Sequence, residues 1–213
     1  RASDPFGLVG VRLENKYDIE AVVAEGGFGV VYRAVHRALQ KAVAVKVLKV
    51  PEGLSQTLRR EFLEKFAQEA RIVAQFEHPA IVRVLDFGAS PMPRGESAPW
   101  MVLEWLHGIT LEQDFASRRG AGRSPAEVLA LLQPVMEAIA YAHDEGVAHR
   151  DIKPGNVMLV ANRRGEVSVK LLDFGVAKSM DRDEHASAGM TATRGVLPAF
   201  SPLYAAPEQL SGA

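Results

Sequence analysis

Cysteine is missing from this chain altogether. That excludes disulfide frameworks, zinc–thiolate sites and thiol nucleophiles within it, and it fits a reducing, cytoplasmic setting. An excess of charge of either sign is missing too: 25 Lys and Arg stand against 26 Asp and Glu, a formal net charge of −1. No global basic field therefore argues for nucleic acid or an anionic membrane surface as partner. Long hydrophobic runs are also lacking. The most apolar helical stretch, Val128 to Ala142, is interrupted by Gln133, Pro134 and Glu137, too short and too polar to cross a bilayer. The first residue is Arg1 rather than Met and no charged-then-apolar leader follows it, so no signal peptide is expected. No internal repeat or low-complexity tract stands out. What is present is an ordinary globular composition, 47% hydrophobic and 24% charged over 213 residues, enough for one large domain or two small lobes sharing a cleft.

From Tyr17 to Val50 the pattern predicts strands: Val22-Val23 and Val30-Val31-Tyr32 flank a Gly-rich hairpin, and Ala42 to Val47 is a β-rich run. Leu54 to Phe76 switches to helical spacing, with Leu58, Phe62, Phe66 and Val73 on one stripe, and His78-Pro79 stops it. Two more strands are expected at Ile81 to Phe87 and Trp100 to Trp105, separated by a loop from Ser90 to Pro99 that holds three prolines. A short helix, Leu111 to Arg119, ends near Gly120 and Gly122. Ser124-Pro125-Ala126-Glu127 predicts an N-cap with proline at the first helical position, opening a helix to about His143. Short strands at Asn156 to Val160 and Val167 to Leu172 bracket a turn, and no strong period follows between Lys178 and Tyr204. A mostly β first half thus precedes a helical second half, with a hinge near Glu104 to Gly108.

Four segments carry chemistry. In His149-Arg150-Asp151-Ile152-Lys153-Pro154-Gly155-Asn156, an acid can accept the proton of an incoming alcohol, an asparagine can hold a cation, and a lysine between them can steady a transferring phosphoryl group. Asp173-Phe174-Gly175 follows a predicted strand 22 residues beyond Asp151. A carboxylate there can bind Mg²⁺, which takes hard oxygen ligands and bridges phosphates; in isolation it would simply be a strand-ending turn. Ala24-Glu25-Gly26-Gly27-Phe28-Gly29 lies between two strands, where glycines let backbone N–H groups approach phosphates without a Cβ in the way. Its place between strands argues against a Rossmann or Walker-type loop. Val43-Ala44-Val45-Lys46 puts a lysine in an apolar strand, and Glu69 follows 23 residues later beside the apolar stripe of the first helix. An exposed strand-face lysine is one reading of Lys46. A partner for a carboxylate that faces the core is the other.

These segments, in this order and with Ala206-Pro207-Glu208 at the end, resemble the eukaryotic-type (Hanks-type) Ser/Thr protein kinases, most nearly their bacterial branch. The resemblance runs from about Tyr17 to the last residue. It implies an α+β, two-lobed fold: a five-stranded antiparallel sheet with one main helix over 13–106, then a mainly helical lobe over 107–213, with ATP in the cleft. The family's domain continues for several helices past Ala-Pro-Glu, so a domain truncated after that motif is expected, with Glu208 awaiting an arginine farther on. Lys153 and the Ser201-Pro202-Leu203-Tyr204 stretch resemble Ser/Thr rather than tyrosine kinases.

By position, the resemblance implies that Lys46 holds the α- and β-phosphates and pairs with Glu69. Asp151 deprotonates the substrate hydroxyl, Lys153 contacts the γ-phosphate, and Asn156 and Asp173 bind Mg²⁺, or Mn²⁺ in its place. Ala24, Gly26, Gly27, Phe28 and Gly29 would cover the phosphates. Glu104 and Leu106 would offer backbone groups to adenine, Leu103 would guard the rear pocket, and Val31, Ala44 and Met158 would sandwich the ring. Ala24 stands where the family usually has its first glycine. Arg150 before Asp151, and Ser187, Thr191 and Thr193 in the polar segment after Lys178, imply an activation loop ordered by autophosphorylation at Thr191 or Thr193. That expectation brings self-association with it, beside a protein substrate bearing Ser or Thr. A pseudokinase scaffold and a small-molecule phosphotransferase of the aminoglycoside type are the competing readings. The presence of Lys46, Asp151 and Asp173 weighs against the first; Lys153 and Ala206-Pro207-Glu208 weigh against the second.

Overall fold

The computed structural model describes residues 3–51, 53–95, 97–119, 121–161, 165–174 and 202–205. They fall into two compact units, Arg1–Gln75 with Arg83–Trp105, and Phe76–Val82 with Leu106–Ala213.

The first unit is a six-stranded antiparallel sheet with one helix. Its strands are β1 (Arg12–Leu13), β2 (Tyr17–Glu25), β3 (Gly29–His36), β4 (Lys41–Leu48), β5 (Val84–Pro91) and β6 (Ser97–Glu104), in the order β1-β2-β3-β4-β6-β5. Five of these are the strands expected, and β1 adds a two-residue edge. Alternation along β3, β4 and β6 sends Val30, Tyr32, Ala34, Val43, Val45, Val47, Ala98, Trp100 and Val102 into one apolar cluster. In β2 the phase changes. Bulges at Glu20 and Val23 slip the register, so Tyr17 and Ile19 face the cluster, then Val22, and Val23 is left exposed.

Side chains tie the two ends of this sheet together, so it curls on itself. The Tyr17 hydroxyl and the Lys16 ammonium donate to Asp86 at 2.8 and 3.1 Å. Trp100 Nε1 donates to Ser90 Oγ at 2.8 Å, and that hydroxyl donates to Glu14. Burial and then the Asp86 carboxylate push the Tyr17 phenol far above its ordinary value. The N-terminal residues close the cluster: Leu8, before the first strand, and Leu13, within it, belong to the cluster and Phe6 packs on it. Asp4 anchors them, accepting from the Leu8 and Val9 amides and from the Tyr32 hydroxyl at 3.1, 3.0 and 2.8 Å.

Helix α1 (Gln56–Ala74) is capped by Ser55, whose hydroxyl accepts from the Leu58 amide. It buries Phe62, Phe66, Ala70 and Val73. Leu58, expected on that stripe, is 43% exposed, because it lies in the first turn, beyond the part of the helix that packs. The expected loop Ser90 to Pro99 contracts to 92–96, since β5 runs to Pro91 and β6 starts at Ser97. Both prolines are tolerated. Pro91 ends an edge strand, and Pro99 lies one residue past the last β4 pairing, Val47↔Trp100.

The second unit contains β7 (Gly108–Thr110), α2 (Leu111–Ser117), α3 (Pro125–Asp144), β8 (Val157–Ala161) and β9 (Val167–Leu171), with the strands in the order β7-β8-β9. Single 3₁₀ turns lie at Pro154–Asn156 and Pro202–Tyr204. Among the described residues its helices are α2 and α3, so the mainly helical character expected of this half is shared with a small sheet. Both helices open on capping boxes, Thr110 with Gln113 and Ser124 with Glu127. Pro134 sits inside α3, which continues through it. No described helix is long and apolar enough to cross a membrane.

Over Phe76–Val82 the sequence predicts a helix end at Phe76, a stop at His78-Pro79 and a strand start at Ile81, but the segment belongs to neither element. It docks in the second unit instead. The Leu171 amide donates to Ala80 O at 2.7 Å, the Val82 amide to Leu171 O at 3.1 Å, and Ile81 makes a parallel bridge to Leu171. Strand β5 therefore starts three residues later than Ile81, at Val84.

Candidate active site

The segment that follows α3 builds a compact polar cluster in the second unit. His149 is buried and works as a strut. Its Nε2–H donates to Leu172 O at 2.8 Å, since a carbonyl can only accept, and its Nδ1 accepts from the Asp151 amide at 3.3 Å. The two bonds fix a neutral tautomer and join this loop to the end of β9. Phe174 closes over it, with ring centroids 4.8 Å from His149 and 5.2 Å from Phe76.

Asp151, with 10% side-chain exposure, holds its carboxylate between two donors. Lys153 Nζ lies 3.1 Å from Oδ2, and Asn156 Nδ2 donates to Oδ2 at 3.0 Å and to Asp151 O at 2.8 Å. Both of these acceptors can only accept, so the Asn156 amide is oriented with nitrogen toward Asp151 and its Oδ1 turned the other way. Asn156 is itself clamped: its N–H donates to Lys153 O and its carbonyl accepts from the Leu172 amide. Arg150 and Asp173 adopt φ of 62° and 55°, left-handed conformations that non-glycine residues rarely hold unless the surroundings enforce them. Each sits beside a cluster residue, where the chain must turn sharply to present a side chain.

In the first unit, cross-strand register gathers a second set. Val31 pairs with Lys46, Lys46 with Met101, and Ala44 with Leu103. Directly paired residues share a face, so Val31, Ala44, Lys46 and Leu103 lie on the side of the sheet opposite the apolar cluster. Lys46, Ala44 and Val31 are half-buried there, and Leu103 is buried. Glu69 on α1 is half-buried between buried Phe66 and Ala70. Glu104 is committed to Arg83, with its amide donating to Arg83 O and its carboxylate accepting from the Arg83 amide, both at 3.0 Å.

The Gly-rich turn, 26–28, joins β2 to β3. A Cβ on Gly29 would fall 2.3 Å from Val47 O, whereas one on Gly26 would meet nothing nearer than 4.0 Å. Gly29 is needed by the sheet, and Gly26 leaves open space over the turn.

A lysine and an alanine on one sheet face, a carboxylate caged by lysine and asparagine, and a phenylalanine packed on the histidine that braces it are the parts of one enzyme class, and comparison decides it. The profile of the protein kinase domain family matches residues 17–213. The chain belongs to the protein kinase domain family. It is 37% identical over 204 residues to the serine/threonine-protein kinase PknA of Mycobacterium tuberculosis, covering 96% of this chain and 43% of that one. To the serine/threonine-protein kinase pkn3 of Myxococcus xanthus it is 34% identical over 214 residues, covering 100% of this chain and 36% of the relative. The chain thus spans less than half the length of these relatives. Among solved structures, the M. tuberculosis PknI kinase domain matches with a TM-score of 0.63 at 28% identity, covering 90% of this chain and 71% of that one.

Of the residues expected in this kinase domain's site, Asp151, Lys153 and Asn156 are brought into direct contact, and Asp173 follows Leu172, which is bonded to both His149 and Asn156. Met158 is half-buried in β8, paired with Thr110 and Lys170, and Leu106 is half-buried at the start of the second unit's main segment. Ser187, Thr191, Thr193, Ser201 and Glu208 lie outside the described residues. Sequence reasoning named His149 without seeing its role, and it missed Lys49. The strut depends on a carbonyl 23 residues away, and no local pattern announces such a partner.

Proposed function

We propose that this is the catalytic domain of a Ser/Thr protein kinase, transferring the γ-phosphate of ATP to a protein hydroxyl. The observation that carries the reading is the Asp151 carboxylate, held in place by Lys153 and Asn156 and aimed by the His149 strut. In that role Asp151 takes the proton of the substrate hydroxyl as its oxygen bonds to phosphorus, and ADP leaves with the electrons of the broken P–O bond. Lys153, 3.1 Å from Asp151, supplies a positive charge beside the transferring group. The first unit supplies Lys46, paired with Glu69, for the α- and β-phosphates, and the turn 26–28 to cover them. Val31 and Ala44 pack on the adenine ring from the first unit, and Leu103 guards the pocket behind it. The Glu104 backbone addresses the adenine edge.

A divalent metal fits the donors present. Asn156 Oδ1 is left available by the amide's orientation, and Asp173 adds a half-buried carboxylate. Among the described residues no three acidic or histidine side chains gather to hold a metal alone. Mg²⁺, or Mn²⁺, takes one or two protein ligands and completes its shell from phosphate oxygens and water, which a pair such as Asn156 and Asp173 suits. When bound, the ion neutralises phosphate charge.

The test uses the full-length protein with Mg²⁺ and ATP, read by intact mass beside Asp151→Asn. Stepwise phosphate gain in the parent alone, mapped to Thr191 or Thr193, is the expected result. No gain in the parent, or equal gain in both, would defeat the reading.

A further inference from the structure

Lys49, the residue after β4, makes three separate bonds to the Gly-rich turn and to Glu25, which leads into it. Its backbone amide donates to Phe28 O at 3.0 Å, its ammonium donates to Gly26 O at 3.1 Å, and the same ammonium pairs with Glu25 Oε1 at 3.0 Å. Glu25 is fixed in turn, its other oxygen accepting from the Ser3 hydroxyl at 2.6 Å. The turn is itself closed by the bond from Gly26 N–H to Gly29 O at 2.9 Å. A glycine-rich turn has more backbone freedom to lose than any other. Tying it to a third strand on both its carbonyl and its acidic side limits that freedom before a ligand arrives.

We infer that Lys49 and Glu25 form a clamp that sets the geometry of the phosphate-covering turn, acting as positioning residues for nucleotide binding. The inference rests on the kinase reading for its consequence, though the clamp itself is a property of the nucleotide-free protein. The charge of Lys49 is spent on Glu25 and Gly26, so its contribution is pre-organisation of the turn. It should therefore appear in the KM for ATP and leave kcat alone. Both side chains are about one-third exposed, at 38% and 34%, which keeps the effect modest. The Ser3 hydroxyl, and then Lys49, hold the Glu25 carboxyl below its ordinary range, so Glu25 stays ionised at neutral pH.

Full-length wild type, Lys49→Met and Lys49→Arg should be compared by hydrogen exchange over residues 25–29 without nucleotide, by KM and kcat for ATP, and by Tm. Lys49→Met keeps most of the stem and removes the charge. It should speed exchange of the Gly26 amide and raise the KM for ATP by about two- to five-fold, the range an exposed ion pair supports. The kcat and Tm should hold, and Lys49→Arg should restore both readouts. Unchanged exchange, an unchanged KM, or a fall in kcat that tracks Tm and that arginine does not rescue would each overturn the clamp. Should the wild type fail to turn over ATP, the kinase reading is what falls, and the exchange comparison still decides the clamp.

Discussion

Asp151 meets two donors and so carries little freedom of its own: Asn156 Nδ2 and Lys153 Nζ both address Oδ2. Asp151→Asn keeps its size and removes its basicity. In the proposed role as base, phosphoryl transfer should fall by about 10²- to 10⁴-fold, while ATP binding changes little, because the group would act on the hydroxyl proton. Single-turnover transfer measured beside nucleotide affinity checks this, and retention of most of the rate would remove Asp151 as the base. Asp4 is the comparable residue for stability. Burial alone would raise its carboxyl, but the Val9 amide, the Tyr32 hydroxyl and the Leu8 amide outweigh that and hold it below its ordinary value of 3.8. A carboxyl with a depressed folded-state pKa stabilises the fold fully above its unfolded value and loses that contribution as pH falls through the folded one. The Tm gap between wild type and Asp4→Asn should therefore be constant at neutral pH and narrow only below about pH 4; a gap already closing near pH 6 would assign the effect to another group. Asp151, Lys153 and Asn156 could be read in advance because they are close in sequence and their side chains suit one chemistry. The roles of Asp4, His149 and Lys49 could not, since each depends on a partner that only folding brings near: the Tyr32 hydroxyl, Leu172 O and Phe28 O.

At the scale of elements, alternation and capping made most of the fold visible. Strands β2, β3, β4 and β6, helix α1 and helix α3 fall close to where apolar spacing puts them, and Ser124 with Pro125 marks the start of α3. Missing from that reading were β1 and β7, two and three residues long, too short for any period to show. Prolines also misled it at Pro91 and Pro99, because whether a missing N–H matters depends on which neighbour a strand has at that residue. The Gly-rich turn joins element to function, and its glycines divide the labour. Gly29→Ala would press a methyl to 2.3 Å from Val47 O and must spread the β3–β4 pairing, so it should lower Tm by several degrees. Gly26→Ala meets open space, with 4.0 Å to the nearest atom, so Tm should hold while nucleotide affinity weakens. A thermal melt with and without ATP separates the two, and a Tm loss from Gly26→Ala as large as that from Gly29→Ala would contradict the division.

The whole molecule is threaded in a way no local pattern conveys. The chain leaves the first unit after Gln75, spends Phe76–Val82 in the second, returns at Arg83 and leaves again after Trp105. The reason is chemical: Phe76, Ala80, Ile81 and Val82 are buried, and their backbone completes hydrogen bonding to Leu171. Phe76 also packs edge-on to Tyr141 and Phe174, at centroid distances of 5.6 and 5.2 Å. A single cut between consecutive halves therefore splits the second unit, even though it respects the hydrophobic pattern. A fragment of residues 1–105 carries those four apolar side chains with nothing to bury them. The complementary fragment from 106 onward loses the segment that bonds Leu171 and the ring beneath Phe174. Removing the Phe76 ring alone from its site costs about 3–5 kcal/mol, by analogy with other buried Phe→Ala changes, a large share of the stability of an ordinary domain. Expressed separately, the 106–213 fragment should bind a hydrophobic dye and show no cooperative melt, and adding residues 76–82 back through a permuted chain should restore one. A cooperative transition in the bare fragment would mean that Phe76–Val82 only rests on a unit that is already complete.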